Sequence, residues 1–158
     1  MGSRSNNLAY IAGFLDGDGS LMLQIKKRKD GKSKRRFMCT ICFYQDSRHE
    51  KSLHWIQGIL GIGYISKRND GMTELRINGY TQVRDILKAL LPYIRFKKLQ
   101  AVALCKACEV LSLAKRRRLS EKQLFVLANL ILVIQAENYA NKKKRSKDEL
   151  LEMLGLTP

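Results

Sequence analysis

Apolar side chains recur along the chain with two different periods, and the places where the period changes mark out its elements. Over residues 7–16, Leu8, Ile11, Ala12, Phe14 and Leu15 fall on one face of a helix. Asn6 or Asn7 can cap its start, and glycines at 13, 17 and 19 end it near Asp18. From Ser20 the period drops to two: Leu21, Leu23 and Ile25 take one face and Met22, Gln24, Lys26 and Arg28 the other, the signature of a strand. Residues 29–32 supply a turn. The next strand sets Phe37, Cys39, Ile41 and Phe43 against Arg36, Met38, Thr40 and Cys42, so a hairpin is predicted.

The same order then repeats. Leu53, Ile56, Ile59 and Leu60 define a helix over 47–60, stopped by Gly61-Ile-Gly63. Asn69-Asp-Gly71 turns a second hairpin between 64–68 and 73–78, and Thr81 caps a helix that runs to Leu91 before Pro92. Three further helices follow: one over 95–114, one opened by a Ser120/Gln123 capping box and running to Ala136, and a short one capped by Ser146 with Glu149. The expected fold is therefore α+β, in the order αββαββα, with a four-stranded antiparallel sheet, helices on one of its faces and extra C-terminal helices. A single domain fills 1–158, with 1–5 a frayed end, 6–114 the core and 115–158 the added helices.

Charge changes the picture from fold to partner. Lys and Arg total 30 against 14 Asp and Glu, a net +16, which is best explained by a polyanion that neutralises it. No apolar run approaches the ~18 residues of a membrane span and no signal sequence opens the chain, so the expected setting is intracellular, in cytoplasm or an organelle, with no membrane partner. Nucleic acid is the first candidate. The sheet face away from the helices would carry Gln24, Lys26, Arg28, Arg36, Met38, Thr40, Cys42, Ser66, Arg68, Glu74, Arg76 and Asn78, a mixture able to read base edges in a major groove. A merely solvated polar face is the alternative. Lys32 and Lys34 in the hairpin loop, and Lys142 and Lys143 in a later basic run, would meet phosphates.

Two CxxC pairs, Cys39/Cys42 and Cys105/Cys108, suggest zinc at first sight. The 62 residues between the pairs and the placing of the first on a strand, where residues three apart face opposite sides, point instead to buried reduced thiols.

The chemistry concentrates in Ile11-Ala-Gly-Phe-Leu-Asp-Gly-Asp-Gly19. Gly13 and Gly17, four apart, leave a helix face bare enough for a second helix to pack on its backbone. Asp16 and Asp18 stand at the helix C-terminus, where acids are unfavourable unless a cation compensates, and a hard divalent metal would do so.

This stretch resembles the signature of the LAGLIDADG homing endonuclease family. Gly61-Ile-Gly-Tyr64, Lys97-Lys-Leu-Gln-Ala101 and the αββαββα order extend the resemblance over most of the chain. One copy of the motif implies the single-motif, homodimeric branch, with Ala12, Gly13, Asp16 and Gly17 at the contact between two motif helices. The resemblance further implies an intron-encoded, Mg²⁺-dependent enzyme that cuts both strands of a long, nearly palindromic duplex, with Ca²⁺ supporting binding without cleavage. Asp18 and the Gly17 carbonyl would hold the metal, Gln45 would position the attacking water, and Lys97 would stabilise charge on the scissile phosphate. His49 stands where relatives usually carry an active-site arginine. Asp16 reads as a helix-end structural residue. The competing reading keeps the fold without cutting, as an intron maturase that binds RNA or a transcription regulator. A basic RNA-binding protein is a third, disfavoured because the sheet face lacks stacking aromatics.

Overall fold

The computed structural model describes residues 2–27, 35–115, 117–138 and 144–156. In chain order the elements are α1 (Arg4–Asp18), β1 (Gly19–Lys27), β2 (Arg35–Asp46), a 3-10 turn (Ser47–His49), α2 (Lys51–Leu60), β3 (Tyr64–Lys67), β4 (Met72–Asn78), α3 (Tyr80–Leu90), α4 (Lys98–Ala114), α5 (Glu121–Glu137) and α6 (Lys147–Met153). The expected order and the four-stranded antiparallel sheet are both present, in the spatial order β1-β2-β4-β3. None of the described helices is long and apolar enough to cross a membrane.

Register sorts the side chains. Gly19 pairs with Phe43, Thr40 with Asn78 and Tyr64 with Arg76, so even-numbered residues always lie beside even-numbered ones across the sheet. Odd positions face the helices: Leu21, Leu23, Ile25, Phe37, Cys39, Ile41, Phe43, Leu75 and Ile77 are buried there, against Ile11 and Leu15 of α1, Leu53 and Ile56 of α2, Val83 and Leu87 of α3 and Leu104 of α4. Each such side chain contributes about 1.5–3 kcal/mol by leaving water. Gly63, with φ of 107°, sits where a Cβ would meet Leu75 Cδ1 at 2.8 Å, so β3 can close on β4 only with glycine there.

Helix starts differ from the sequence expectation, each for a local reason. Ser3, not Asn6 or Asn7, caps α1 by accepting from the Asn6 amide at 3.3 Å, which draws Arg4 and Ser5 into the helix instead of a frayed end. Gly79 rather than Thr81 occupies the N-cap of α3. The Asp46 carboxylate accepts from the Arg48 amide at 2.9 Å and holds 47–49 as a 3-10 turn, delaying α2 to Lys51. The capping boxes fare better: Ser120 and Gln123 exchange both bonds at α5, and Ser146 accepts from the Glu149 amide at α6.

All four cysteines are free and buried, as expected, and no group of three or more His, Cys, Asp or Glu among the described residues could hold a metal. The thiols pair across elements rather than within a CxxC: Cys39 of β2 meets Cys108 of α4. That hydrogen bond, with burial, pushes the Cys39 thiol far above its ordinary range, and burial also raises Cys42 and Cys105. A raised folded-state value stabilises the fold below the unfolded thiol's pKa of ~8.5 and loses that contribution as pH rises past it. Chemical denaturation above that pH should therefore show falling stability, with a shallower decline in Cys39→Ala; equal slopes would contradict the assignment.

Candidate active site and nucleic-acid interface

The end of α1 is fastened to the loop before α4. Asp16 turns its carboxylate towards that loop, where Oδ2 accepts from the Arg95 amide at 2.7 Å and Oδ1 from the Lys97 amide at 3.0 Å. Lys97 Nζ in turn donates to the Asp16 carbonyl at 2.6 Å. Asp16 thus fastens the turn that precedes α4, and the helix begins at Lys98 rather than 95. Its carboxylate is engaged within its own protomer by these two loop amides. Asp16→Ala should strand two amides, lowering stability by about 1–3 kcal/mol in a denaturant titration. It should also slow any chemistry that needs Lys97 held in place.

Asp18, two residues on, is exposed, and it makes no hydrogen bond or ion pair with a described residue. It lies close enough to Lys97 for its charge, with that of Asp16, to favour the ammonium; burial outweighs both and lowers the Lys97 pKa from its ordinary value. Of the last carbonyls of α1, which have no partner within the helix, that of Asp16 is taken by Lys97, and Gly17 follows it directly. Gln45 stands near the end of β2, two residues past the Phe43–Gly19 pair and so at the level of the end of α1, with its Oε1 accepting from the Asp46 amide at 2.9 Å. His49 is exposed in the 3-10 turn. Its neighbour Arg48 is committed to Asp46 at 2.8 Å, which holds that carboxyl well below the usual range.

An open trough of about 1320 Å³ runs along β1 beneath this point. Its walls include Asp16, Gly17, Lys97 and Gln100, then Ser20, Met22, Gln24 and Lys26 of β1, and Gln135, Lys144 and Arg145 from the C-terminal helices and the segment between them. Neither Gln45 nor His49 forms part of it. The structure brings Asp16, Gly17 and Lys97 together and leaves His49 apart.

The even-numbered sheet face is mostly polar, with Met22, Met38 and Met72 among it. Lys26, Arg36 and Arg68 are exposed, and Gln24, Met38, Ser66, Glu74, Arg76 and Asn78 are half-buried. Two expected readers are corrected: Thr40 and Cys42 are both 0% exposed, so neither can touch a ligand on this face. They are short side chains on a strand flanked on both sides; Thr40 donates to Asn78 at 2.7 Å, and the Cys42 thiol lies 3.9 Å from Glu74 Oε2. Arg76 is paired with Glu74 at 3.2 Å. Continued one step along each strand, the same alternation would have found Ser20, Tyr44 and Tyr64, which share the face; Ser20 and Tyr44 hydroxyls are 3.0 Å apart and Arg68 lies over the Tyr44 ring. Arg28, Lys32, Lys34, Lys142 and Lys143 lie outside the described residues.

The bare face of α1 is real. Gly13 and Gly17 are exposed, and a Cβ at either would meet nothing within 4 Å. Ala12, by contrast, is 0% exposed within the protomer and has no surface to offer a second copy. Tyr10 lies one turn before Gly13 on the same helix face, 59% exposed, its ring edge-on to Trp55 of α2 at 5.4 Å. Sequence reading passed over this pair because a lone exposed aromatic carries no periodic signal.

Comparison with known proteins gives a consistent result. The LAGLIDADG endonuclease family model matches residues 11–108. The DNA endonuclease I-CvuI of Chlorella vulgaris is 40% identical over 93 residues, 59% of this chain and 58% of that protein. The DNA endonuclease I-CreI of Chlamydomonas reinhardtii is 31% identical over 108 residues, 68% of this chain and 66% of its own. The aligned part thus spans under two thirds of either relative. The crystal structure of the homing endonuclease I-CvuI in complex with its target, in the presence of Ca, superposes over 98% of both chains with a TM-score of 0.83 and 29% identity. The archaeal intron-encoded homing endonuclease I-Vdi141I, complexed with DNA, shares the fold at a TM-score of 0.80 and 19% identity over 97% of both chains.

Proposed function

Because this chain belongs to the LAGLIDADG endonuclease family, we propose that it is a site-specific DNA endonuclease that hydrolyses both strands of a long duplex target as a homodimer. The observation that carries this reading is the juxtaposition at the end of α1: an exposed Asp18, with no hydrogen bond or ion pair to a described residue, beside an anchored Lys97 that lines the open trough, on a chain of net charge +16. Nothing in a purely structural site favours an unpaired acid at the negative end of a helix.

The donor set suits Mg²⁺. One carboxylate and a helix-end carbonyl are hard oxygen donors, too few to cage an ion alone, which matches a metal that is held by a carboxylate or two together with substrate phosphate. Asp18 and the Gly17 carbonyl would hold it. When bound, Mg²⁺ would supply a lowered pKa for the hydrolytic water and neutralise charge on the leaving oxygen. The remaining work belongs to the chain. Lys97, fixed by Asp16, places a positive charge against the phosphate as negative charge builds there. Gln45 orients the attacking water through an amide that needs no change of protonation. The half-buried and exposed polar residues of the sheet face read base edges, and the basic side chains meet phosphates. A second copy packed on Gly13 and Gly17 would bring two Asp18 residues side by side, one for each strand.

The test is incubation of the protein with a library of duplexes spanning intron-insertion junctions, in Mg²⁺ and separately in Ca²⁺, followed by mapping of cut ends. Double-strand breaks at one site in Mg²⁺, with binding alone in Ca²⁺, are expected. Binding without cutting in every divalent metal would overturn the nuclease reading and leave a non-cleaving regulator or maturase.

A further inference from the structure

Among the described residues, every ion pair but one leaves at least one partner more than a quarter exposed. The exception is Arg76 with Glu74 on β4, whose side chains are 24% and 13% exposed. Taking two charges out of water is costly, so a pair this deep is weak support for a fold. Its place is also odd for a chain that must meet a polyanion. Apart from Asp46 at the end of β2, Glu74 is the sole acid among the described residues of the even-numbered sheet face, where an uncompensated carboxylate would repel phosphate.

The bonds around Glu74 say what it does there. Its Oε1 accepts from Arg76 Nε at 3.3 Å, lies 3.2 Å from Nη2 and accepts from the Ser66 hydroxyl at 3.4 Å, while the Cys42 thiol stands 3.9 Å from Oε2. Both oxygens are engaged from within the sheet and little of the side chain reaches solvent, so Glu74 is poorly placed to accept from a cytosine amino group itself. The carboxylate stands at one edge of the guanidinium, that of Nε and Nη2. The other edge, Nη1 with the second hydrogen of Nη2, has no partner among the described residues and keeps the fork that matches O6 and N7 of guanine.

Register places this fork along the target. Across the sheet Arg76 shares a row with Tyr64, Cys42 and Ser20, and Ser20 follows Asp18 by two residues. Arg76 is two strands from Ser20, about 10 Å at the usual strand spacing. The base it meets therefore lies beside the proposed cut, not at the far end of the duplex.

We infer that Arg76 determines specificity by forking onto one guanine close to the scissile phosphate, and that Glu74 is its positioning residue, holding the guanidinium at the angle the fork requires. This rests on the DNA-binding part of the reading above and deepens it, by naming the base, its reader and the group that aims the reader.

The experiment takes the duplex that wild type selects from a randomised pool in Ca²⁺ and measures affinity for it and for each of its single-base variants. Wild type, Arg76→Gln, Glu74→Met and Glu74→Gln are compared, with melting of each and mapping of wild-type cuts in Mg²⁺. Wild type should prefer guanine at one position per half-site, within about four base pairs of the cut, by about 5- to 100-fold over other bases. Arg76→Gln, which has no fork of two like donors, should lose that preference and keep those at other positions. Glu74→Met keeps the bulk without an acceptor; it should lose the same preference and bind unrelated duplex more tightly, since a negative charge has left the face. Glu74→Gln still offers an oxygen and should keep part of the preference, which a variant that merely misfolds would not do. A guanine preference unchanged in Arg76→Gln or in Glu74→Met, a loss spread evenly over the site, or a selected site with no such guanine would overturn the inference. A wild type that selects a duplex and cuts none would remove the nuclease reading and leave this test intact, with the guanine placed from the centre of the site. A wild type with no preferred duplex would remove both.

Discussion

Asp18→Asn is expected to abolish cutting while leaving DNA binding intact or tighter. The wild-type carboxylate is exposed, forms no hydrogen bond or ion pair with a described residue and sits at the C-terminus of α1, where the helix already carries partial negative charge. Without a cation, that acid repels both the helix end and any phosphate brought near it. Asparagine removes the repulsion, so the folded protein should be unchanged or more stable by about 0.3–1 kcal/mol, and affinity for duplex in a chelator should rise. In the proposed reaction, cutting depends on the opposite property, the ability to hold a metal against the phosphate. Its loss should slow hydrolysis by at least ~10²–10³-fold, the scale seen when one preorganised electrostatic contact is removed. Melting, affinity in EDTA and cutting in Mg²⁺ measure the three effects on one preparation. A variant that cuts as wild type does would remove Asp18 from the chemistry.

Gly13→Leu should separate folding from assembly. A Cβ at Gly13 meets nothing within 4 Å, so the protomer has room for the side chain. Replacing a mid-helix glycine with a good helix former stabilises the isolated protomer by up to ~1 kcal/mol. On the exposed face shared with Tyr10 and Gly17, however, leucine fills the space that a second helix backbone would occupy. Sedimentation should therefore show a monomer that melts no lower than wild type, and double-strand cutting should be lost. A dimeric, fully active Gly13→Leu would show that the bare helix face is not the contact.

Most of the architecture was legible because the two periods are clean: alternation from Leu21 to Ile25 and from Phe37 to Phe43 gave the hairpin and assigned the faces correctly. What escaped depends on contacts far away in sequence. The turn before α4 is fastened by Asp16, 79 and 81 residues from the amides it captures, and no local propensity carries that. Burial of Thr40 and Cys42 follows from their place on the inner strand, where the longer Met22 and Asn78 flank Thr40 and the longer Arg76 flanks Cys42. Of the site, Asp18 and Lys97 were marked by the motif resemblance, and the structure draws them within reach of each other's charge.

The even-with-even register has a consequence for how such a protein can change its target. Since every strand keeps its odd residues in the core and its even residues on the polar face, the two layers can mutate independently. Gln24 and Met38 can be exchanged with little effect on folding, Asn78 only for a residue that still accepts from the buried Thr40 hydroxyl, whereas any one-residue insertion within a strand would swap the layers and unfold the sheet. If this face reads the target as proposed, recognition would drift by substitution and be barred from drifting by insertion or deletion, the sheet face an alphabet that can be rewritten letter by letter while its page stays fixed.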